Sequence, residues 1–102
     1  MVRHIVLTRF APGTSDQTIA DIYGGLRAVA ERLDGASGFV AGPSNSPEDL
    51  ERGYTHGFSI DFADHDALRA YAEDPEHRAL GARLVEHAAG GLDGLLVVDL
   101  EV

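Results

Sequence analysis

The sequence contains no cysteine, no lysine and no tryptophan. Without cysteine the chain cannot form disulfides, thiolate metal sites, iron–sulfur clusters or a cysteine nucleophile. No apolar run reaches the roughly 18 residues that a membrane-spanning helix needs, and the chain opens directly on a strand-like run. We therefore expect a soluble protein located in the cytoplasm.

Positive charge is also scarce. All eight basic residues are arginines, they face seventeen acidic residues, and the formal net charge is −9. Nucleic-acid binding and anionic membrane surfaces both require basic patches, so neither is an expected partner. The 102 residues suit one domain over residues 1–102, and a chain of this length encloses a large private cavity only with difficulty.

The hydrophobic pattern predicts four strands, at Val2–Phe10, Phe39–Gly42, Gly53–Phe62 and Leu95–Val102. One helix is predicted between the first two strands, and a second helix, broken at Pro75, between the last two. This order, β-α-β-β-α-β, predicts an α+β, ferredoxin-like fold with a four-stranded antiparallel sheet and its helices on one face.

The first predicted strand is apolar on both of its faces, so both faces need a cover. The helices can cover only one face of the sheet. A homodimer in which two sheets close into a dimeric α/β barrel would supply the second cover. A second copy of the chain is therefore the expected protein partner.

The segment Tyr71-x-x-x-Pro75-x-His77 carries the most suggestive chemistry. On an uninterrupted helix, residues six apart are separated by about 600° and point to different sides. Pro75 breaks the helix and Asp74 can cap a new one, so the second piece can change direction. This change of direction would allow Tyr71 and His77 to meet.

His77 would then lie near the third position of the new helix, where the helix dipole disfavours the imidazolium form. The neighbouring carboxylates of Asp74 and Glu76 act in the opposite sense. A neutral imidazole as general base, with the Tyr71 phenol as hydrogen-bond donor, suits an aldol or enolisation reaction. The structural alternative is that His77 only caps its helix or pairs with an acid, while Tyr71 packs at an interface.

His4 and His56 lie on otherwise apolar strand faces. A lone histidine in such a strand is usually a satisfied core group, but two of them would give a partly polar interior that suits a ligand cavity. The acidic residues Glu73, Asp74 and Glu76 beside His77 could hold a divalent ion, although a solvated acidic patch is the simpler interpretation. We predict no metal site and no cofactor.

Three motifs together resemble the Dabb family, the stress-responsive dimeric α/β-barrel domains. They are RHIVL at residues 3–7, GYTH at residues 53–56, and the Tyr71-x-x-x-Pro75-x-His77 segment. The resemblance spans nearly the whole chain and implies a homodimer. Within this family the olivetolic acid cyclase-type polyketide cyclases fold a linear polyketide by an intramolecular aldol condensation, without a cofactor.

The resemblance implies roles for individual residues. The catalytic tyrosine and histidine of those cyclases match Tyr71 and His77. A pocket tyrosine on their first helix falls at Leu26 here, with Tyr23 one turn earlier, and the aromatic residues that bind their alkyl tail are largely absent. Two further pocket histidines match His4 and His56.

The resulting hypothesis is a homodimeric barrel that binds a small, mostly apolar carbonyl compound and enolises or cyclises it. His77 and Tyr71 are the predicted catalytic residues. The predicted ligand-binding residues are His4, His56, Tyr23 and Leu26. Two alternatives stay open: a non-catalytic stress-response or structural dimer, and a cofactor-free oxygenase on the same barrel.

Overall fold

A computed structural model of the chain covers residues 1–102. Its secondary structure follows the predicted order, with the second helical region in two pieces. The strands are β1 (Val2–Thr8), β2 (Ala36–Pro43), β3 (His56–Phe62) and β4 (Leu95–Glu101), and the helices are α1 (Asp16–Arg32), α2 (His65–Glu73) and α3 (Pro75–His87). A short 3₁₀ turn at Gly91–Gly94 leads into β4.

The four strands form one antiparallel sheet in the order β2-β3-β1-β4. The strand that is apolar on both faces, β1, therefore lies inside the sheet, as its pattern indicates. Its residue His4 lies opposite Ile60 on β3 and Asp99 on β4. The predicted ferredoxin-like βαββαβ fold is confirmed.

The strand ends differ from the sequence prediction. β1 stops at Thr8, and Phe10 forms only an isolated bridge with Ala88. β3 begins at His56 because Gly53 adopts a positive φ of 88° and its carbonyl accepts a hydrogen bond from the Thr55 amide, which makes a turn there. β2 is longer than predicted and carries an irregularity between residues 37 and 40.

The helices pack on one face of the sheet, which we call the helix face. Its β1 residues are Val2, His4, Val6 and Thr8. Apolar side chains of α1 meet this face and form most of the core with it. The core includes Ile22, Leu26 and Val29 from α1 and Phe58, Ile60 and Phe62 from β3. None of the helices combines the length and apolar character needed to cross a membrane.

The opposite side of the sheet, which we call the open face, has no helix over it. Several large apolar side chains are exposed there, and the bidentate ion pair of Arg3 with Asp61 lies among them. The exposed apolar residues are Leu7, Val40, Leu96, Val98 and Leu100. The second cover that the sequence calls for is therefore missing from the single chain.

Candidate functional site

The junction between α2 and α3 directs the two candidate catalytic residues. The Asp74 Oδ1 atom caps α3 by accepting hydrogen bonds from the backbone N–H groups of Glu76 and His77, at 3.0 and 3.1 Å. Arg32, at the end of α1, donates to both Asp74 oxygens at 3.0 and 2.9 Å. The carboxylate thus ties the start of α3 to both α2 and α1.

This junction brings Tyr71 and His77 together. Their ring centroids are 4.0 Å apart and the ring planes are inclined by 40°. Tyr71 is 1% exposed, and neither its hydroxyl nor the Nδ1 atom of His77 has a hydrogen-bond partner within the protein. Buried polar atoms nearly always have a partner, so these two retain unused hydrogen-bonding capacity.

The two rings border a partly open cavity of about 300 Å³ between the helix face and the helices. This volume is at the small end of the range found for ligand pockets. The polar side chains of the lining are His4, Tyr71 and His77 only. The rest of the wall is apolar and includes Val6, Leu26, Phe58, Leu68, Leu84 and Val97.

His4 is held in place by a carboxylate that no sequence motif indicates. Its Nδ1 atom lies 2.7 Å from Oδ1 of Asp99, and its ring centroid lies 5.8 Å from that of Tyr71. A carboxylate can only accept, so this contact places a proton on Nδ1 and orients the ring. The β1–β4 pairing puts Asp99 directly opposite His4, and that register is the signal that would have revealed it.

Burial lowers the pKa of His77, and it is the largest influence on this ring. The backbone carbonyl of Ala72 and the Asp74 carboxylate raise the pKa, while electrostatic interactions with His4 and with the Arg78 guanidinium lower it further. The net direction favours the neutral imidazole that a general base requires. The position of His77 near the start of a helix predicted this effect from the helix dipole, whereas the dominant cause is desolvation.

Burial also raises the pKa of Tyr71 well above the ordinary value for a phenol. The hydroxyl therefore keeps its proton at neutral pH and can donate a hydrogen bond. A neutral imidazole and a protonated phenol in contact are the pair that would accept a proton from carbon and stabilise the resulting enolate oxygen.

The structure brings four of the six predicted site residues to this cavity: His4, Leu26, Tyr71 and His77. The other two lie further along the helix face. Tyr23 and His56 both contact Phe10, with ring centroids 6.5 and 5.2 Å from it. The Tyr23 hydroxyl and His56 Nδ1 are buried without partners, and burial raises the pKa of Tyr23 to about 12.

The acidic side chains around the helix junction do not form a metal site. No group of three or more histidine, aspartate or glutamate side chains is arranged so that it could hold a metal ion. Asp74 uses both of its oxygens for the α3 cap and the Arg32 contact instead.

Comparison with solved structures finds the same fold in several proteins. A dimeric ferredoxin-like protein of unknown function from Jannaschia sp. CCS1 superimposes with a TM-score of 0.93 at 36% identity, over 99% of this chain and 98% of that one. A hydroxynitrile lyase from Passiflora edulis has a TM-score of 0.85 at 18% identity, over 99% of this chain and 92% of that one. At that identity the second similarity concerns the fold alone.

Sequence comparison leads to the family. The stress-response A/B barrel domain-containing protein HS1 of Arabidopsis thaliana is 32% identical over 101 residues, which is 96% of this chain and 86% of that protein. The family model for the stress responsive A/B barrel domain, Dabb, matches residues 2–102. With the ferredoxin-like fold and the matched motifs in place, this chain belongs to the Dabb family.

Proposed function

We propose that the cavity binds a small, uncharged, mostly apolar carbonyl compound and that His77 and Tyr71 enolise it for an intramolecular aldol reaction. The observation that carries this proposal is the pair of unpartnered buried polar atoms, His77 Nδ1 and the Tyr71 hydroxyl, on two side chains that line a mostly apolar cavity. The lining contains no arginine, so an anionic substrate would find no counter-charge.

The proposed reaction balances without a further reactant. The neutral imidazole of His77 removes a proton from the carbon next to a carbonyl group, and the Tyr71 hydroxyl donates to the enolate oxygen. The enolate carbon then attacks a second carbonyl carbon in the same molecule and forms a carbon–carbon bond. The oxygen of that carbonyl takes the proton back from the imidazolium. His4, oriented by Asp99, borders the same space as a ligand-binding residue.

The proposal includes a homodimer formed through the open face. The support is the set of exposed apolar side chains on that face and the dimeric Jannaschia protein of the same fold. Two open faces packed together would give each sheet its second cover. We also propose the cytoplasmic location that is expected from the sequence.

The test uses diacetylacetone, a linear β-triketone that yields orcinol by an intramolecular aldol reaction and loss of water. We expect the protein to accelerate this cyclisation above the buffer rate and His77→Ala to lose about 10²- to 10⁴-fold of the rate, the usual contribution of a general base. Tyr71→Phe is the companion variant. Because its hydroxyl has no partner in the protein, Tyr71→Phe should lose rate without loss of stability.

The outcomes separate the alternatives. Full activity in His77→Ala would show the mechanism to be wrong. Wild-type protein that neither binds nor turns over the triketone would favour the non-catalytic dimer. Oxygen consumption with a quinol substrate would favour the cofactor-free oxygenase.

A further inference from the structure

One glycine of α3 lies in the cavity wall without a structural reason to be glycine. Glycine is disfavoured in helix interiors relative to every residue except proline. Gly81 lies in the middle of α3, and its φ is not positive. A Cβ atom added at Gly81 would meet nothing within 4 Å. Neither backbone conformation nor packing within the protein therefore requires glycine at this position.

The other two helical glycines make the contrast clear. A Cβ atom on Gly25 would lie 2.7 Å from Cδ2 of Leu80, so the Leu80 side chain on α3 would have to shift to make room for it. Gly24 is exposed, has nothing within 4 Å of an added Cβ, and does not line the cavity. Gly81 is the one that combines free space with a place in the cavity wall.

The position of Gly81 relates it to the proposed chemistry. It lies four residues after His77, so both are on the same side of α3. Leu84 and Val85 continue this side of the helix and also line the cavity. This side of α3 therefore presents first the His77 imidazole, then the bare backbone at Gly81, and then the apolar side chains of Leu84 and Val85.

We propose that Gly81 is a specificity-determining position, which keeps the cavity open for a straight alkyl chain attached to the reacting carbonyl group. The inference rests on the proposed function for its ligand class, an uncharged alkyl ketone. The space at Gly81 lies one helical turn from His77, where the first carbons of such a chain would run. An alanine there would place a methyl group in that space.

The experiment compares Gly81→Ala with Gly24→Ala. Both variants replace a helical glycine that has free space, so both should raise the thermal midpoint by a few degrees. Binding is measured by titrating methyl ketones of increasing straight-chain length against the His77 and Tyr71 ring resonances. Gly81→Ala should bind the longer ketones about tenfold or more weakly and acetone unchanged, because the added methyl group would occupy space that only the longer chains need. Gly24→Ala should bind the whole series like the wild type.

Xenon is a second probe that does not depend on the ketone assignment, because it enters dry apolar cavities. Xenon should shift the resonances of Leu84 and Val85 in the wild type and in Gly24→Ala, and shift them less in Gly81→Ala. Equal xenon shifts in the two variants would overturn the role of Gly81. Loss of xenon binding in Gly81→Ala, in a protein that binds no ketone, would overturn the proposed ligand class and leave Gly81 as the residue that limits the cavity.

Discussion

The two faces of the sheet are built from the same four strands but differ in almost every property. On β1, His4 belongs to the helix face and borders the cavity, while the next residue, Ile5, belongs to the open face. On β3, Ile60 is fully buried under the helices, while Asp61 pairs with Arg3 on the uncovered side. Alternation by one residue thus separates the surface that borders the cavity from the surface that carries the exposed apolar side chains.

The comparison shows how a chain of this size can have both a core and a cavity. On the helix face, the packing is incomplete and leaves an unfilled space beside Tyr71 and His77. The open face leaves residues such as Val98 half exposed in the single chain. A partner sheet would restore the burial that one small domain lacks.

The largest expected effect is the loss of a core side chain on the helix face. Phe62 is fully buried, so Phe62→Ala should lower the free energy of unfolding by about 3–5 kcal/mol. Leu100, 49% exposed on the open face, is the comparison site. Urea unfolding is measured at several protein concentrations.

The loss in Phe62→Ala should be the same at every concentration, because the core lies within one chain. The loss in Leu100→Ala should depend on concentration, since only a dimer buries this side chain. If both variants lose the same free energy of unfolding at every concentration, then no partner chain buries Leu100, and the open face is not a dimer interface.

The next effect concerns assembly. Val98 is exposed on the open face, so in the proposed dimer Val98→Arg would place like charges from the two copies at the interface. We expect light scattering to show a molecule of half the wild-type mass. Glu101→Arg is the matched control, because it adds an arginine to the same strand on the other face, opposite Val2. A mass that falls equally in both variants would argue against the open face as the interface.

A smaller effect is expected at the helix junction. Arg32→Gln removes the side chain that holds both Asp74 oxygens, so the angle between α2 and α3 should loosen and the contact of Tyr71 with His77 should weaken. Nuclear Overhauser effects between the two rings are the measurement, with the thermal midpoint beside it. Arg69→Gln, which removes an exposed ion pair within α2, should change neither. Unchanged ring contacts in Arg32→Gln would show that the Asp74 cap alone is sufficient.

The sequence predicted the local part of the site better than the assembled part. The change of direction at Pro75 follows from short-range rules, and with it the meeting of Tyr71 and His77. The distance between His4 and His56 depends on strand register instead. His56 pairs with Thr8, four residues along β1 from His4, which amounts to about 13 Å.

The burial of the site residues could not be predicted from the sequence either. The pKa of His77 is lowered mainly by desolvation, which depends on α1, α3 and the sheet enclosing one space. The partner of His4, Asp99, lies 95 residues away along the chain, and only the β1–β4 register brings them together. Motif spacing carries no information about either relation.

The smallest expected effect is a difference in the pH range over which the two faces lose stability. The pKa of His77 on the helix face is lowered by burial below its ordinary value of 6.5, so its contribution to stability is complete above that pH and is lost as the pH falls below it. The pKa of Asp61 on the open face is lowered by the hydrogen bond from Arg3 below 3.8, so its contribution is lost only in stronger acid, as is that of Asp74.

Thermal midpoints from pH 7 to pH 5 therefore cover the range in which the His77 contribution is lost and leave out the range of Asp61 and Asp74. The wild type should lose stability across this range, and His77→Asn should lose less, because the variant lacks the His77 imidazole, whose protonation is opposed by burial. His65→Asn, which removes an exposed histidine at the start of α2, should follow the wild type. An equal slope in His77→Asn and the wild type would mean that the ring is already solvated in the folded chain, and the argument for a neutral base in the cavity would fail with it.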